Sequence, residues 1–283
     1  MHLIYKSKAM PITIENYDKS SFTYDKWVIS DEYKEIEGRY EYRIVVTSQD
    51  EIENQDDLTI RAVETSAFVE KLTMLMKYTI GFPLNSPFHQ VTYRCMRLID
   101  IREAPKGWQS NVDEVDSFLM ESRSSYGSVK LIPKDECMPA SALDELEIAV
   151  NNYDKLEEEI KDLIAVHNSA VEADERSCFL ILGKVIDMIN YLYPLGYSKH
   201  KKDKRIIENF PELLPFFGDT TIKDLMGIAN SRKETRHYNK NRDQLHPTLL
   251  GREAELYYQR IDVLTLEIVR QKLGLPPINV RVN

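Results

Sequence analysis

Apolar positions along the chain follow two different periods, and the change falls near the middle. From Ala140 to Tyr193 there is no proline and a single glycine. Leu143, Leu146, Val150, Tyr153, Leu156, Ile160, Leu163 and Val166 recur there at steps of three and four, the spacing of one helical stripe. A second helix is expected from about Asp174 to Tyr193, with Phe179, Leu182, Ile186 and Ile189 inward and Pro194 as the stop. A third should begin near Thr221, where Thr221 and Asp224 have the spacing of a capping box with Asp in place of Glu. It should run through Ile222, Leu225, Met226 and Ala229 toward His237. The last should span roughly Leu249 to Leu273, with Leu250, Tyr257, Ile261, Leu264 and Ile268 on one face, and end at Gly274 and Pro276-Pro277.

The first 135 residues alternate instead. Ile12–Tyr17, Tyr40–Thr47, Leu58–Val63 and Val91–Ile101 are rich in Val, Ile, Tyr and Thr and read as strands. In the last of these, Val91, Tyr93, Cys95, Arg97 and Ile99 point one way, and Thr92, Arg94 and Met96 the other. One helix interrupts them, from Thr65 to about Thr79, closed by Gly81 and Pro83. The expected class is α+β. Residues 1–135 form a mixed, mainly β domain of at least five strands, and residues 141–283 an all-α bundle. The boundary is expected between Ile132 and Ser141, where Pro133 and Pro139 bracket a polar stretch. No internal repeat or low-complexity segment breaks this division.

Composition narrows the function classes. An apolar fraction of 42% in 283 residues supports one large or two smaller cores, and a disordered chain is excluded. No apolar run approaches the roughly 18 residues of a membrane span. The start, Met1-His2-Leu3-Ile4-Tyr5-Lys6, has no signal-peptide pattern. Cys95, Cys137 and Cys178 are widely separated and odd in number, which reads as reduced thiols in a cytoplasmic protein. Only ten glycines occur, the closest pair being Gly218 and Gly227. The P-loop, the dinucleotide fingerprint, the kinase glycine loop and the Gly-x-Ser-x-Gly elbow need tighter pairs, so all four are excluded.

Charge is unevenly placed. The whole chain carries −9, and residues 141–175 alone hold eleven Asp/Glu against two Lys, the pattern of a solvated helix face. Residues 199–246 reverse the sign, with eleven Lys/Arg against seven Asp/Glu. This basic patch contains Lys199, Lys201, Lys202, Lys204 and Arg205, then Arg232, Lys233, Arg236, His237, Lys240 and Arg242. Local positive charge attracts phosphate whatever the total.

Arginine and histidine together are a minimal kit for metal-independent cleavage of RNA. Histidine can take the proton from a ribose 2′-OH, because its pKa lies near working pH. A guanidinium can grip the phosphate with two prongs and stabilise the charge of the transition state. Such attack leaves a 2′,3′-cyclic phosphate and a 5′-OH. Geometry sets a condition: five residues along a straight helix turn about 140°, so Arg232 and His237 do not share one face. They converge if the helix ends or bends between them, or if two subunits related by a two-fold axis pool their copies.

Arg232 and His237, with four residues between them near a helix end in a C-terminal α-bundle, resemble the signature of HEPN domains. The surrounding Ser-Arg-Lys-Glu-Thr-Arg-His-Tyr, the downstream His246-Pro247 and the long terminal helix are similar to the bacterial Apea-like and MauJ-like HEPN proteins. The resemblance covers about residues 141–275. It implies an all-α bundle, a homodimer, and a metal-independent endoribonuclease acting on tRNA or mRNA, with no cofactor, no metal and no membrane partner. It also implies a toxin-like role in anti-phage defence, with the N-terminal domain regulating or sensing. Arg232 and His237 would be catalytic, with Asp187 and Arg236 in support and the lysines and arginines of the patch, Lys199 to Arg205 together with Lys233, Lys240 and Arg242, on RNA. Lys233 stands where the family usually has Asn or Asp, which keeps open a non-catalytic module that binds protein or nucleotide. An accessory protein of a metabolic operon is the third alternative.

Each residue also has a structural reading. His237 can cap a helix, Arg232 can pair with the acidic helix, and Asp187 can face solvent or pair with a buried arginine. Arg236 can be an ion-pair partner, and His246 a turn residue before proline. The run Lys199–Arg205 can be a solvated loop.

Overall fold

The computed structural model describes residues 3–6, 19–36, 39–79, 98–100, 142–173, 175–194, 204–231 and 251–277. Among these residues the chain is α+β, a strand-rich start followed mostly by helices. Two compact units separate, the first reaching Asp154 and the second starting at Lys155.

In the first unit five strands form one antiparallel sheet in the order β2-β3-β4-β1-β5. They are β1 (Ile4–Lys6), β2 (Ser21–Tyr24), β3 (Trp27–Ile36), β4 (Arg39–Ser48) and β5 (Leu98–Asp100). A two-residue turn joins β2 to β3, pairing Tyr24 with Trp27, and Asp25 takes a positive φ of 50° in it. That is the left-handed conformation Asp tolerates better than bulkier residues. Helix α1 (Gln55–Thr79) crosses the sheet. Asn54 caps it, its side-chain oxygen accepting from the Asp56 and Asp57 amides at 3.0 Å each. Trp27 stacks on Phe68 of α1 at 4.1 Å and donates to Thr65 Oγ1 at 3.1 Å, and the Tyr5 hydroxyl donates to the Ala62 carbonyl at 2.9 Å. At the rim, Lys26 and Arg61 share Glu64 and Asp50. The contact from Lys26, first among several causes, holds the Glu64 carboxyl below its usual range.

Two expectations are corrected here. Leu58–Val63 is helix, part of α1, and not strand. Its β-branched residues suited either state, and burial of Leu58 and Ala62 against the sheet decides for helix, leaving Ile60 and Val63 exposed. The stripe from Leu143 to Val166 is two helices, α2 (Ala142–Tyr153) and α3 (Glu158–Glu172). Helix α2 packs on α1 and β2, so the first unit gains a helix and the division falls some twenty residues beyond Pro133. Of the other expected strands, β4 matches Tyr40–Thr47, only the end of Val91–Ile101 is described, and Ile12–Tyr17 lies outside the described residues.

The second unit holds α3, α4 (Glu175–Leu192), α5 (Lys204–Asn209), a 3₁₀ turn at Pro211–Leu213, α6 (Leu214–Phe217), α7 (Ile222–Ser231) and α8 (Gly251–Leu273). Helix α4 packs against α3, α7 and α8. Phe179, Leu182, Ile186 and Ile189 are inward, as their spacing predicts. Helix α8 departs from the expected single apolar face: all ten residues from Ile261 to Arg270 are buried, Asp262, Thr265, Glu267 and Arg270 among them. It is the central helix of this unit, so even its polar side must find partners inside. Among the described residues no helix is long and apolar enough to cross a membrane.

Candidate functional site

Helix α7 carries the chain to the candidate catalytic segment. Its start is a reciprocal cap: the Asp224 amide donates to Thr221 Oγ1 at 3.1 Å, and the Thr221 amide donates to Asp224 Oδ2 at 2.8 Å. Ile222, Leu225 and Ala229 bury its inner face, and it is described as far as Ser231, the residue before Arg232. Arg232, Lys233, Arg236, His237, Lys240, Arg242 and His246 lie outside the described residues, as do Lys199, Lys201 and Lys202. Lys204 opens α5, and nothing is described of its side chain.

Two of the expected site residues are placed in full. Asp187 is exposed on α4, on the same side as Lys184 and Tyr191. Arg205 is turned inward, only 5% exposed. It donates to Asn190 Oδ1 at 2.8 Å and to the Tyr193 carbonyl at 3.2 Å. A guanidinium beneath the C-terminal end of α4 satisfies carbonyls that the helix leaves open. This is a structural post, and it turns Arg205 away from the RNA contact expected of the basic run.

Behind Asp187 sits an unsatisfied polar group. Tyr257 of α8 is 1% exposed, its ring 6.2 Å from that of Phe179, and its hydroxyl has no hydrogen-bond partner among the described residues. Burial first, then the charges of Asp187 and Cys178, push its pKa up, so the phenol stays protonated and able to donate. Cys178 is buried.

An enclosed acid–base pair among the described residues was not singled out by sequence reasoning. His167 Nε2 of α3 meets Asp262 Oδ1 of α8 at 2.7 Å, with side chains 0% and 3% exposed. The signal was available: His167 extends the stripe Ile160, Leu163, Ile164 by one turn, and a lone polar residue on an apolar face needs an internal partner. Asp262 was hidden because its whole helix is buried. Sealed from solvent, the pair joins α3 to α8. Among the described residues no group of three or more His, Cys, Asp or Glu is placed to hold a metal ion.

No family model, curated protein or solved structure matches the chain.

Proposed function

We propose that the chain is a metal-independent endoribonuclease of HEPN type, a cytoplasmic toxin-like effector in anti-phage defence that acts on RNA as a homodimer. The observation that supports it is the anchoring of the motif: a capped helix packed on α4 and α8 runs to Ser231 and leads directly into the segment that holds Arg232 and His237. In this reading His237 takes the 2′-OH proton and Arg232 grips the phosphate, the attacking oxygen closes a 2′,3′-cyclic phosphate, and the 5′-oxygen leaves with a proton. Lys199, Lys201, Lys202, Lys233, Lys240 and Arg242 supply the charge that draws RNA in.

The test is purified wild type and His237→Ala incubated with total tRNA and mRNA in EDTA. Wild type is expected to leave cyclic-phosphate ends, and the variant to lose at least about a hundredfold in rate, the size of a lost general base. Overexpressed wild type should be toxic and the variant harmless. Equal cleavage by both proteins, or strict dependence on added Mg²⁺, overturns the reading. A second reading, a non-catalytic binding module, is favoured by Lys233 in the place of Asn or Asp; it expects no cleavage and loss of partner capture in Arg232→Ala.

A further inference from the structure

Helix α4 is buried on most of its circumference, yet one side is left open. Leu180, Lys184, Asp187 and Tyr191 are all exposed, Leu180 by 43% and Tyr191 by 76%. Their spacing of four, three and four puts them within an arc of about 60°, along roughly 16 Å of helix. Two of the few large hydrophobic residues exposed among the described residues stand at the ends of this stripe, and opposite charges stand in its middle.

The order of these residues is the informative part. The stripe is centred between Val185 and Ile186, and each residue has a complement the same distance beyond the centre. Lys184 mirrors Asp187, and Leu180 mirrors Tyr191. Two copies of α4 laid antiparallel about a two-fold axis at that centre therefore set Leu180 against the partner's Tyr191, twice. They also set Lys184 within its long reach of the partner's Asp187, twice. An isologous contact demands this self-complementarity, whereas a foreign partner does not. We infer that the open face of α4 is a two-fold contact with a second copy of this chain, and that Asp187 serves as its ion-pair partner there.

The inference gives a surface to the homodimer of the proposed reading, but it needs no ribonuclease activity. One helix face is smaller than the roughly 800 Å² per partner of a standard interface, so the pairing belongs to the weak, concentration-dependent class. A covalent trap suits such a contact. Helices packed 8–10 Å apart bring facing Cβ atoms into disulfide range, so Leu180→Cys combined with Tyr191→Cys should form a disulfide-linked dimer under mild oxidation. Either substitution alone should not, because each residue and its own copy are about 16 Å apart along the helix. Wild type, with its three native cysteines, is the baseline.

Charge supplies the second arm. In the trapping background Lys184→Glu should slow dimer formation about fivefold, since two equivalent pairs turn repulsive. Adding Asp187→Lys should restore it, because the swapped charges again meet across the axis. Trapping no faster in the double-cysteine chain than in either single, or no rescue by the charge swap, overturns the inference. Circular dichroism of the variants confirms that the helix is intact. Trapping without RNA cleavage would leave this contact standing and sink the ribonuclease reading; cleavage without trapping would do the reverse.

Discussion

At the scale of single residues, the second unit keeps polar groups in places where an aliphatic side chain would be simpler. His167 and Asp262 are sealed together between α3 and α8, and both have further interactions within the protein. Removing one member takes from the other a close partner away from water. Asp262→Leu or His167→Leu alone is expected to cost about 3 kcal/mol, the size of a broken buried pair. The double His167→Leu/Asp262→Leu variant should cost clearly less than the two losses added, because the contact that the pair shares is then lost only once. Urea melts of the four proteins decide this, and simple additivity would show that the two side chains do not depend on each other. Arg205 makes the same point from another direction. A basic residue in a basic run reads as an RNA contact, but its guanidinium closes the end of α4.

At the scale of elements, the ends of helices are where sequence and structure agree best. The Thr221–Asp224 cap forms as its spacing predicts, and Gly274 ends α8 with a φ of 75°. The Leu275 amide reaches back to the Arg270 carbonyl at 2.9 Å, and the Gly274 amide to Gln271 at 3.1 Å. Thr221→Ala should lower stability by about 1 kcal/mol through the lost cap. Gly274→Ala should cost about the same by forcing a Cβ into the left-handed region. Thermal melts showing no change in either would mean that these ends fray without consequence. Caps are legible because they are local: three or four residues contain the whole interaction. What was not legible depended on residues far away. The β-branched run in α1 became helix because the sheet lies beneath it, and α2 joined the first unit because its apolar side found α1. The all-round burial of α8 is a property of its neighbours, and its own amphipathic pattern gave no sign of it.

At the scale of the whole molecule, the two units carry different chemistry. The first closes at Asp154, which accepts from Tyr24 at 2.6 Å and from Lys71 at 2.8 and 2.9 Å, with the lysine also lying over the Tyr24 and Tyr153 rings. The hydrogen bond to Asp154, then burial and the carboxylate's charge, push the Tyr24 phenol from 10.0 up to about 12. A raised pKa means that the folded unit holds this proton after the unfolded chain has released it. The stability it brings is therefore full below pH 10 and is lost as pH rises through about 12. Tyr24→Phe should flatten that part of the stability profile, and tyrosinate absorbance should show one fewer late-titrating phenol; an unchanged profile would mean the contact does not persist in solution. The candidate site, by contrast, was legible only as a motif and a charge pattern: Arg232 and His237 lie close in sequence, and both lie outside the described residues. The central place of α8 reaches beyond the finished fold, to the chain as it is made. Translation delivers α3, α4 and α7 well before α8, and at roughly 5–20 residues per second they wait for seconds with their inner faces uncovered. The first unit can close during that interval. The second must be shielded from aggregation until its last described helix arrives, which makes the newborn chain a natural client for chaperones at the ribosome.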